Sequence, residues 1–297
     1  MKISYLLFSY NQSCYIQDAV LSALEQNYSN IEFIFSDDCS TDGTYEILKK
    51  TVENYGFGKN IIINKNEKNL GLIQHFNKCL QMSSGEVIVL AGGDDIAISD
   101  RVLKTVNYFE SDPLIMAVSF NDLIFSDSIN NAKQLIETYE DDFYYLKDAF
   151  EIPSFSGASR AFRRKVFDTF GFLSEDSQTE DSTFLLRSLL CGKCVRSASQ
   201  GVFYRWHGAN ISSAKNIKKF NIDKIFNQYL IDAEKALGLN LINKEDYFSL
   251  LKKFEYESKL RKFIHQKNFF VKIYHGLLLF ISSEKFRKKA YAKLKKY

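Results

Sequence analysis

Carboxylates stand in adjacent pairs at two places in the first hundred residues, Asp37-Asp38 and Asp94-Asp95. Carboxylates do not hold phosphate directly; they hold it through a divalent cation, a hard ion that seeks oxygen ligands. Asp94 and Asp95 follow Gly92-Gly93, which allows close backbone approach, and so suit Mg²⁺ or Mn²⁺. A surface turn would also explain an isolated Asp-Asp pair. Here, however, each pair ends an apolar run, and Ser9-Tyr10-Asn11 ends another. Other chemistries find no support. No G-x-G-x-x-G follows the first apolar run and no G-x-x-x-x-G-K-[ST] occurs, against a dinucleotide oxidoreductase or a P-loop NTPase. Cys191 and Cys194 form a lone C-x-x-C without a second pair or a histidine at zinc-ligand spacing, and read as ordinary thiols near a helix end. His75 and His265 have no acidic or thiol partner at ligand spacing and read as surface residues.

The elements that must position these clusters alternate. Ile3 to Phe8 reads as a buried strand, and Ile16, Ala19, Val20, Ala23 and Leu24 mark one face of a helix. Ile31 to Ser36 is a second strand, followed by turn and N-cap chemistry at Thr41-Asp42-Gly43-Thr44 and a helix to about Tyr55. Ile61 to Ile63, a helix over Gly71 to Met82, and a strand over Glu86 to Ala91 complete a βαβαβαβ order. That order predicts an α/β fold with a parallel sheet and helices on both faces. Ligands bind at the carboxyl ends of such strands, where the three polar clusters collect. From about 96 to 214 the pattern is mixed: Met116 to Phe125 reads as strand, and Phe155 to Arg163 as a turn leading into another. Glu180-Asp181 opens a helical pattern through Leu190, with Gly192 as its stop. From Lys215 onward it is mostly helical, with apolar positions at 260, 263, 264, 270, 271, 274, 277, 278 and 281. No internal repeat is evident.

Composition limits the class. With 45% hydrophobic and 25% charged residues in 297, disordered and collagen-like chains are excluded. Five scattered cysteines and a start that turns polar too soon for a signal sequence predict a reducing, cytoplasmic setting. The longest apolar stretch, Phe269 to Ile281, is interrupted by Lys272 and His275 and is too short to span a bilayer. The net charge of +3 conceals +11 in Lys252 to Tyr297, which leaves −8 for the preceding residues. A basic, apolar-striped end fits either a helix pair on an anionic membrane surface or helices packed with their charges solvated. No nucleic-acid partner is expected.

The series SYNQSCYIQDAVLSALEQNYSNIEFIFSDDCSTDGT, then NLG, then SSGEVIVLAGGDD, then TEDSTFLLRSLLCG resembles family 2 glycosyltransferases over roughly residues 1 to 210. The resemblance implies the GT-A fold in a catalytic unit over 1–214 and a nucleotide-sugar donor; it does not cover the C-terminal 80 or so residues, where charge and spacing give 215–297 as a basic, mostly helical extension. It implies that Phe8, Ser9 and Tyr10 line the base and ribose pocket. Asp37 would accept a hydrogen bond from the base, Asp38 would support the loop, and Asp94 and Asp95 would contact ribose and metal. It implies further that Asp181 is the general base, that His207 adds a metal ligand, and that Glu180 and the Ser156-Gly157 turn face the acceptor. The family's D-x-D has a carboxylate where this chain has Gly92, which leaves open which of Asp94 and Asp95 ligates the metal. An Arg that some members carry near Gly71 is missing; Lys68 or Lys78 could replace it or be plain surface lysines. Trp206, the single tryptophan, either stacks on an acceptor sugar or packs in the core.

The expected activity is therefore a metal-dependent, inverting hexosyl or N-acetylhexosaminyl transfer. The donor is UDP-linked, and the acceptor is a saccharide or a lipid-linked oligosaccharide of surface polysaccharide synthesis. Two rivals are a sugar-phosphate nucleotidyltransferase, which wants a Gly-rich, Arg-containing loop where SYNQS stands, and an inactive scaffold of the same fold.

Overall fold

The computed structural model describes residues 1–134, 136, 138–152, 155–207, 220–265, 276, 277, 279 and 280. The chain forms two compact units, Met1–Asn210 and Ile211–Tyr297. The boundary read from the sequence, between 214 and 215, lies outside the described residues.

In the first unit, apolar runs with helices over both faces become strands buried on both sides. β1 (Ile3–Ser9), β2 (Ile31–Asp37), β3 (Asn60–Lys65) and β4 (Val87–Gly92) alternate with α1 (Ile16–Leu24), α2 (Thr44–Tyr55) and α3 (Gly71–Met82). They pair in parallel in the order β3-β2-β1-β4. The register sets Ser9 opposite Asp37 and Phe8 opposite Gly92, so three strand ends finish together. The order reverses at β1, and the crevice between the ends of β1 and β4 is the switch point where α/β sheets bind ligands.

Beyond β4 come β5 (Ile96–Ala97), α4 (Arg101–Ser111), β6 (Ile115–Phe125), β7 (Lys133–Gln134), β8 (Asp142–Tyr144), β9 (Ala161–Arg163), α5 (Arg164–Phe170), α6 (Asp181–Cys191) and β10 (Lys193–Arg205). β9 runs antiparallel between β4 and β6, β10 lies parallel to β6, and β5 closes the path beyond β10. Successive side chains of a strand point to opposite faces. Ile3, Tyr5 and Leu7 accordingly join one core with Val20 of α1, Leu48 of α2 and Val102 of α4. Phe8 turns the other way onto Phe76 of α3, with ring centroids 5.8 Å apart, and Phe76 meets Phe184 of α6 at 5.2 Å.

The second unit contains α7 (Ile222–Gly238) and α8 (Lys244–His265). Asn221 caps α7 by accepting from the Lys224 N–H at 3.2 Å, a usual N-cap role for this residue type. Phe226 and Tyr229 pack on Phe254 at 6.3 and 5.8 Å. No described helix is long and apolar enough to cross a membrane. Positions 270, 271, 274, 278 and 281 of the apolar stripe, and the basic run from Lys285 to Lys296, lie outside the described residues.

Candidate active site

At the end of β1, Ser9 is buried while Tyr10 is 47% exposed. Asn11 takes a left-handed φ of 52°, which short polar side chains tolerate, and its Oδ1 accepts the Thr41 N–H at 2.9 Å. The Asp37 carboxylate is fully buried. Its Oδ1 accepts the Ser40 N–H (2.9 Å), and its Oδ2 accepts the Ser40 hydroxyl (2.5 Å) and the Ser9 hydroxyl (3.3 Å). Both carboxylate oxygens of Asp37 thus already accept hydrogen bonds from Ser40. Asp38 accepts from Asn66 Nδ2 (2.7 Å), Leu70 N (2.9 Å) and Gly71 N (2.9 Å), and so ties the loop to the start of α3.

One expectation is corrected here. His75 is no surface residue: it is 3% exposed, with Nε2 2.7 Å from the Ser36 hydroxyl and its ring edge-on to Phe8. It faces inward on α3, and burial lowers its pKa, opposed by the charges of Asp38 and Asp37. Lys78 donates to Asn66 Oδ1 at 2.8 Å, whereas Lys68 is exposed. The side chain of His265 lies outside the described residues.

Asp94 and Asp95 fold back over the end of β4 because residue 92 has no side chain. A Cβ there would stand 2.7 Å from Asp94 Oδ1 and 3.3 Å from Asp95 Oδ2. Asp95 is 7% exposed and accepts the Arg205 N–H at 3.0 Å through Oδ1. Burial pushes its carboxyl well up, and the neighbouring Asp94 charge adds to the shift. Asp94 Oδ2 lies 3.0 Å from His207 Nε2, and the His207 ring stacks on Tyr15 at 5.1 Å. The two carboxylates are oxygen donors of the kind Mg²⁺ or Mn²⁺ takes, while the His207 imidazole is a softer donor, and adjacent carboxylates are better tolerated beside a cation. Among the described residues no three His, Cys, Asp or Glu side chains already converge as a metal cluster. The fit is therefore to an ion that brings oxygen ligands with it, as Mg²⁺ does with water and phosphate.

At the start of α6, the structure divides Glu180-Asp181 unequally. Glu180, just before α6, is drawn to the fully buried Arg160 guanidinium (3.1 Å). Burial raises its carboxyl, the Asp181 charge raises it further, and Arg160 opposes both. Asp181 is exposed and accepts the Ser182 N–H at 2.6 Å. The desolvation expected to favour a base therefore falls on Glu180, because Arg160 pulls that residue inward. At the Ser156-Gly157 turn, a Cβ on Gly157 would meet nothing within 4 Å. Trp206 is 52% exposed, so it is not a core residue, and its main-chain N–H donates to Phe125 O at 2.7 Å.

Sequence reasoning missed Tyr15, Arg160 and Arg205. Arg205 Nε donates to the Asp94 carbonyl (3.0 Å), its NH2 reaches Asp18 (3.2 Å), and its guanidinium lies 4.8 Å from the Tyr15 ring centroid. No local pattern marks these residues, because their partners are far away in sequence.

A mostly parallel α/β sheet with carboxylates at the strand ends beside its switch point defines the class of fold. The model of Glycosyl transferase family 2 matches residues 4–171, and the chain belongs to that family. The Escherichia coli UDP-Glc:alpha-D-GlcNAc-diphosphoundecaprenol beta-1,3-glucosyltransferase WfaP is 30% identical over 117 residues, 39% of this chain and 45% of WfaP. S. aureus TarS 1-349 in complex with UDP-GlcNAc shares the fold, with TM-score 0.70 and 18% identity over 96% of this chain and 83% of that one. The Pyrobaculum calidifontis mannosyltransferase PcManGT, in complex with GDP-Man and Mn²⁺, aligns with TM-score 0.55 and 15% identity over 97% and 82%. The chain spans about half the length of the first curated relatives it matches, 45% and 52%.

Proposed function

We propose that the chain transfers a sugar from a UDP-linked donor to a hydroxyl of a saccharide or lipid-linked acceptor in surface-polysaccharide synthesis, with Mg²⁺ or Mn²⁺ and with inversion. The observation that carries this reading is the Asp94-Asp95 pair at the end of β4, Asp95 buried and Asp94 half-buried against His207. Support for the donor comes from the UDP-GlcNAc complex of TarS and from the UDP-glucose donor in the name of WfaP. The lipid-linked acceptor likewise rests on the name of WfaP, and inversion rests on the family alone.

In this reading Phe8, Ser9 and Tyr10 line the base and ribose pocket, Asp37 accepts a hydrogen bond from the base, Asp38 supports the loop, and Asp94 contacts ribose. Asp94, Asp95 and His207 would hold the cation, which when bound neutralises charge developing on the departing diphosphate. Asp181 accepts the proton of the acceptor hydroxyl, and an acceptor seated over it would supply the burial that raises a carboxylate's basicity. Gly157, Glu180 and Trp206 line the acceptor side. The basic end of the chain would hold the enzyme on the inner face of the cytoplasmic membrane.

The test is thermal shift with UDP, GDP and CDP, with and without Mn²⁺, because ligand binding to the native state raises the Tm. UDP with Mn²⁺ should give the largest rise. Asp95→Ala should lose both the Mn²⁺-dependent part and transfer while keeping its fold. Full transfer by that variant in excess chelator would overturn the metal assignment. Nucleotide binding by the wild type without transfer to any acceptor would favour the scaffold reading.

A further inference from the structure

The Asp94-Asp95 pair stands on a turn that its own sequence leaves loose. Gly92 and Gly93 precede it, and glycine has the widest backbone freedom of any residue. Two main-chain bonds close the turn, from Gly93 N to Phe8 O (2.8 Å) and from Asp95 N to Gly92 O (3.4 Å), the second of them long. A firmer grip comes from far along the chain. Arg205, the last residue of β10, holds both aspartates: its main-chain N–H donates to Asp95 Oδ1 (3.0 Å), and its Nε donates to the Asp94 carbonyl (3.0 Å).

The guanidinium is itself held. It packs against two rings, 4.8 Å from the Tyr15 centroid and 4.6 Å from that of Phe125. Phe125, the last residue of β6, stands opposite Arg205 in the register, and its carbonyl accepts the N–H of the next residue, Trp206 (2.7 Å). A planar guanidinium can stack on an aromatic face while its edge donates in its own plane, which an ammonium cannot do. The outer tie to Asp18 (3.2 Å) is of a different kind, because the Asp18 side chain is 54% exposed and exposed ion pairs contribute little. Tyr15 also carries the His207 ring, stacked at 5.1 Å, and His207 Nε2 lies 3.0 Å from Asp94 Oδ2. The ends of β6 and β10 and the start of α1 thus converge on one turn.

We propose that Arg205 is a positioning residue of the cation centre: without touching the ion, it fixes the Asp94-Asp95 turn before a divalent metal arrives. The inference rests on the metal reading above, and its test separates the two. Fixing the turn raises affinity, because binding no longer has to order it. Charge works in the opposite direction, since a guanidinium beside a cation site repels the metal. Mn²⁺ is titrated into the full chain and free Mn²⁺ followed by electron paramagnetic resonance, alone and with saturating UDP. Arg205→Gln removes both the charge and the stacked fork; Arg205→Lys keeps the charge and removes the fork. The main-chain bond to Asp95 is available to both. Both should bind Mn²⁺ more weakly, on the order of 10-fold, the scale on which residues that orient metal ligands act. Asp18→Asn, which cuts only the outer tie, should bind like the wild type.

Charge alone predicts tighter binding by Arg205→Gln and wild-type binding by Arg205→Lys, and either result would overturn the proposal. A second readout needs no substrate. At one subsaturating Mn²⁺ concentration the rise in Tm over chelator should be smaller in both Arg205 variants than in the wild type. Variants that melt lower by the same amount in chelator and in Mn²⁺, with unchanged Mn²⁺ affinity when folded, would make Arg205 a structural residue and overturn the proposal. Failure of both variants to fold in chelator would do the same. Each of these outcomes leaves the metal reading intact. A wild type that takes up no Mn²⁺ with or without UDP would overturn both.

Discussion

At the scale of single residues, the two carboxylates before and at the start of α6 invite separate tests. Asp181→Asn keeps size but cannot take a proton, so transfer should fall by about 10² or more with donor binding unchanged. Loss of UDP binding in calorimetry would make Asp181 a structural residue, and unchanged transfer would remove it from the mechanism. Glu180→Gln should lower stability as well as transfer, because it leaves the Arg160 guanidinium buried without its counter-charge. Base recognition is tested at Asp37. Uracil offers an N3–H donor and cytosine does not, so UDP should bind more tightly than CDP, and Asp37→Ala should narrow the gap. Equal affinities would refute the assignment. The Asp pairs were legible because each closes an apolar run. Burial at Glu180 was not, since it depends on Arg160, twenty residues earlier on the approach to β9.

At the scale of elements, the first four strands and three helices follow their sequence patterns within a residue or so. Apolar runs and helical spacing are local signals, and nothing here overrides them. β10 was not legible. Its sequence KCVRSASQGVFYR does not alternate, and its pairing with β6 is broken by register shifts. Gly201 marks one such point, where a Cβ would stand 2.5 Å from Phe120 Cβ. At the opposite edge, Glu32 of β2 joins β1 to the turn before β4. It accepts from Ser4 Oγ (2.6 Å) and Gly85 N (3.0 Å) and pairs with Lys2 at 2.7 Å. Burial pushes its carboxyl up, but the bonds from Lys2, Ser4 and Ser84 prevail and hold it at about 2. A depressed carboxyl stabilises above its ordinary pKa, and that contribution disappears as pH falls toward the folded value. Glu32→Gln should therefore melt below the wild type at pH 7, by on the order of 1–3 kcal/mol. The difference should close between about pH 4.5 and pH 2. A gap constant over that range would show that packing, not charge, holds the joint.

At the scale of the molecule, the basic C-terminal end predicts a physical address. Each Lys or Arg near an anionic bilayer contributes about 1 kcal/mol, weakened by salt, and apolar side chains at the interface add to it. Sedimentation with liposomes should show binding that needs anionic lipid, weakens with salt and disappears on truncation before Lys285. Equal partitioning to neutral liposomes would deny the charge that role. The tie between Arg205 and Asp18 spans 187 residues of chain, and that between His207 and Asp94 spans 113. Contacts of such sequence separation form late and slowly. During synthesis the ribosome must release residue 207 before the Asp94 loop can meet its histidine, so that contact is absent from every shorter nascent chain. A fragment ending at residue 171, where the family match stops, would hold β1 to β4 and both Asp pairs yet lack Glu180, Asp181, Arg205 and His207. Ribosome-bound intermediates and proteolytic fragments of that length therefore lack both of these long-range ties, which form only once the chain through residue 207 has been released.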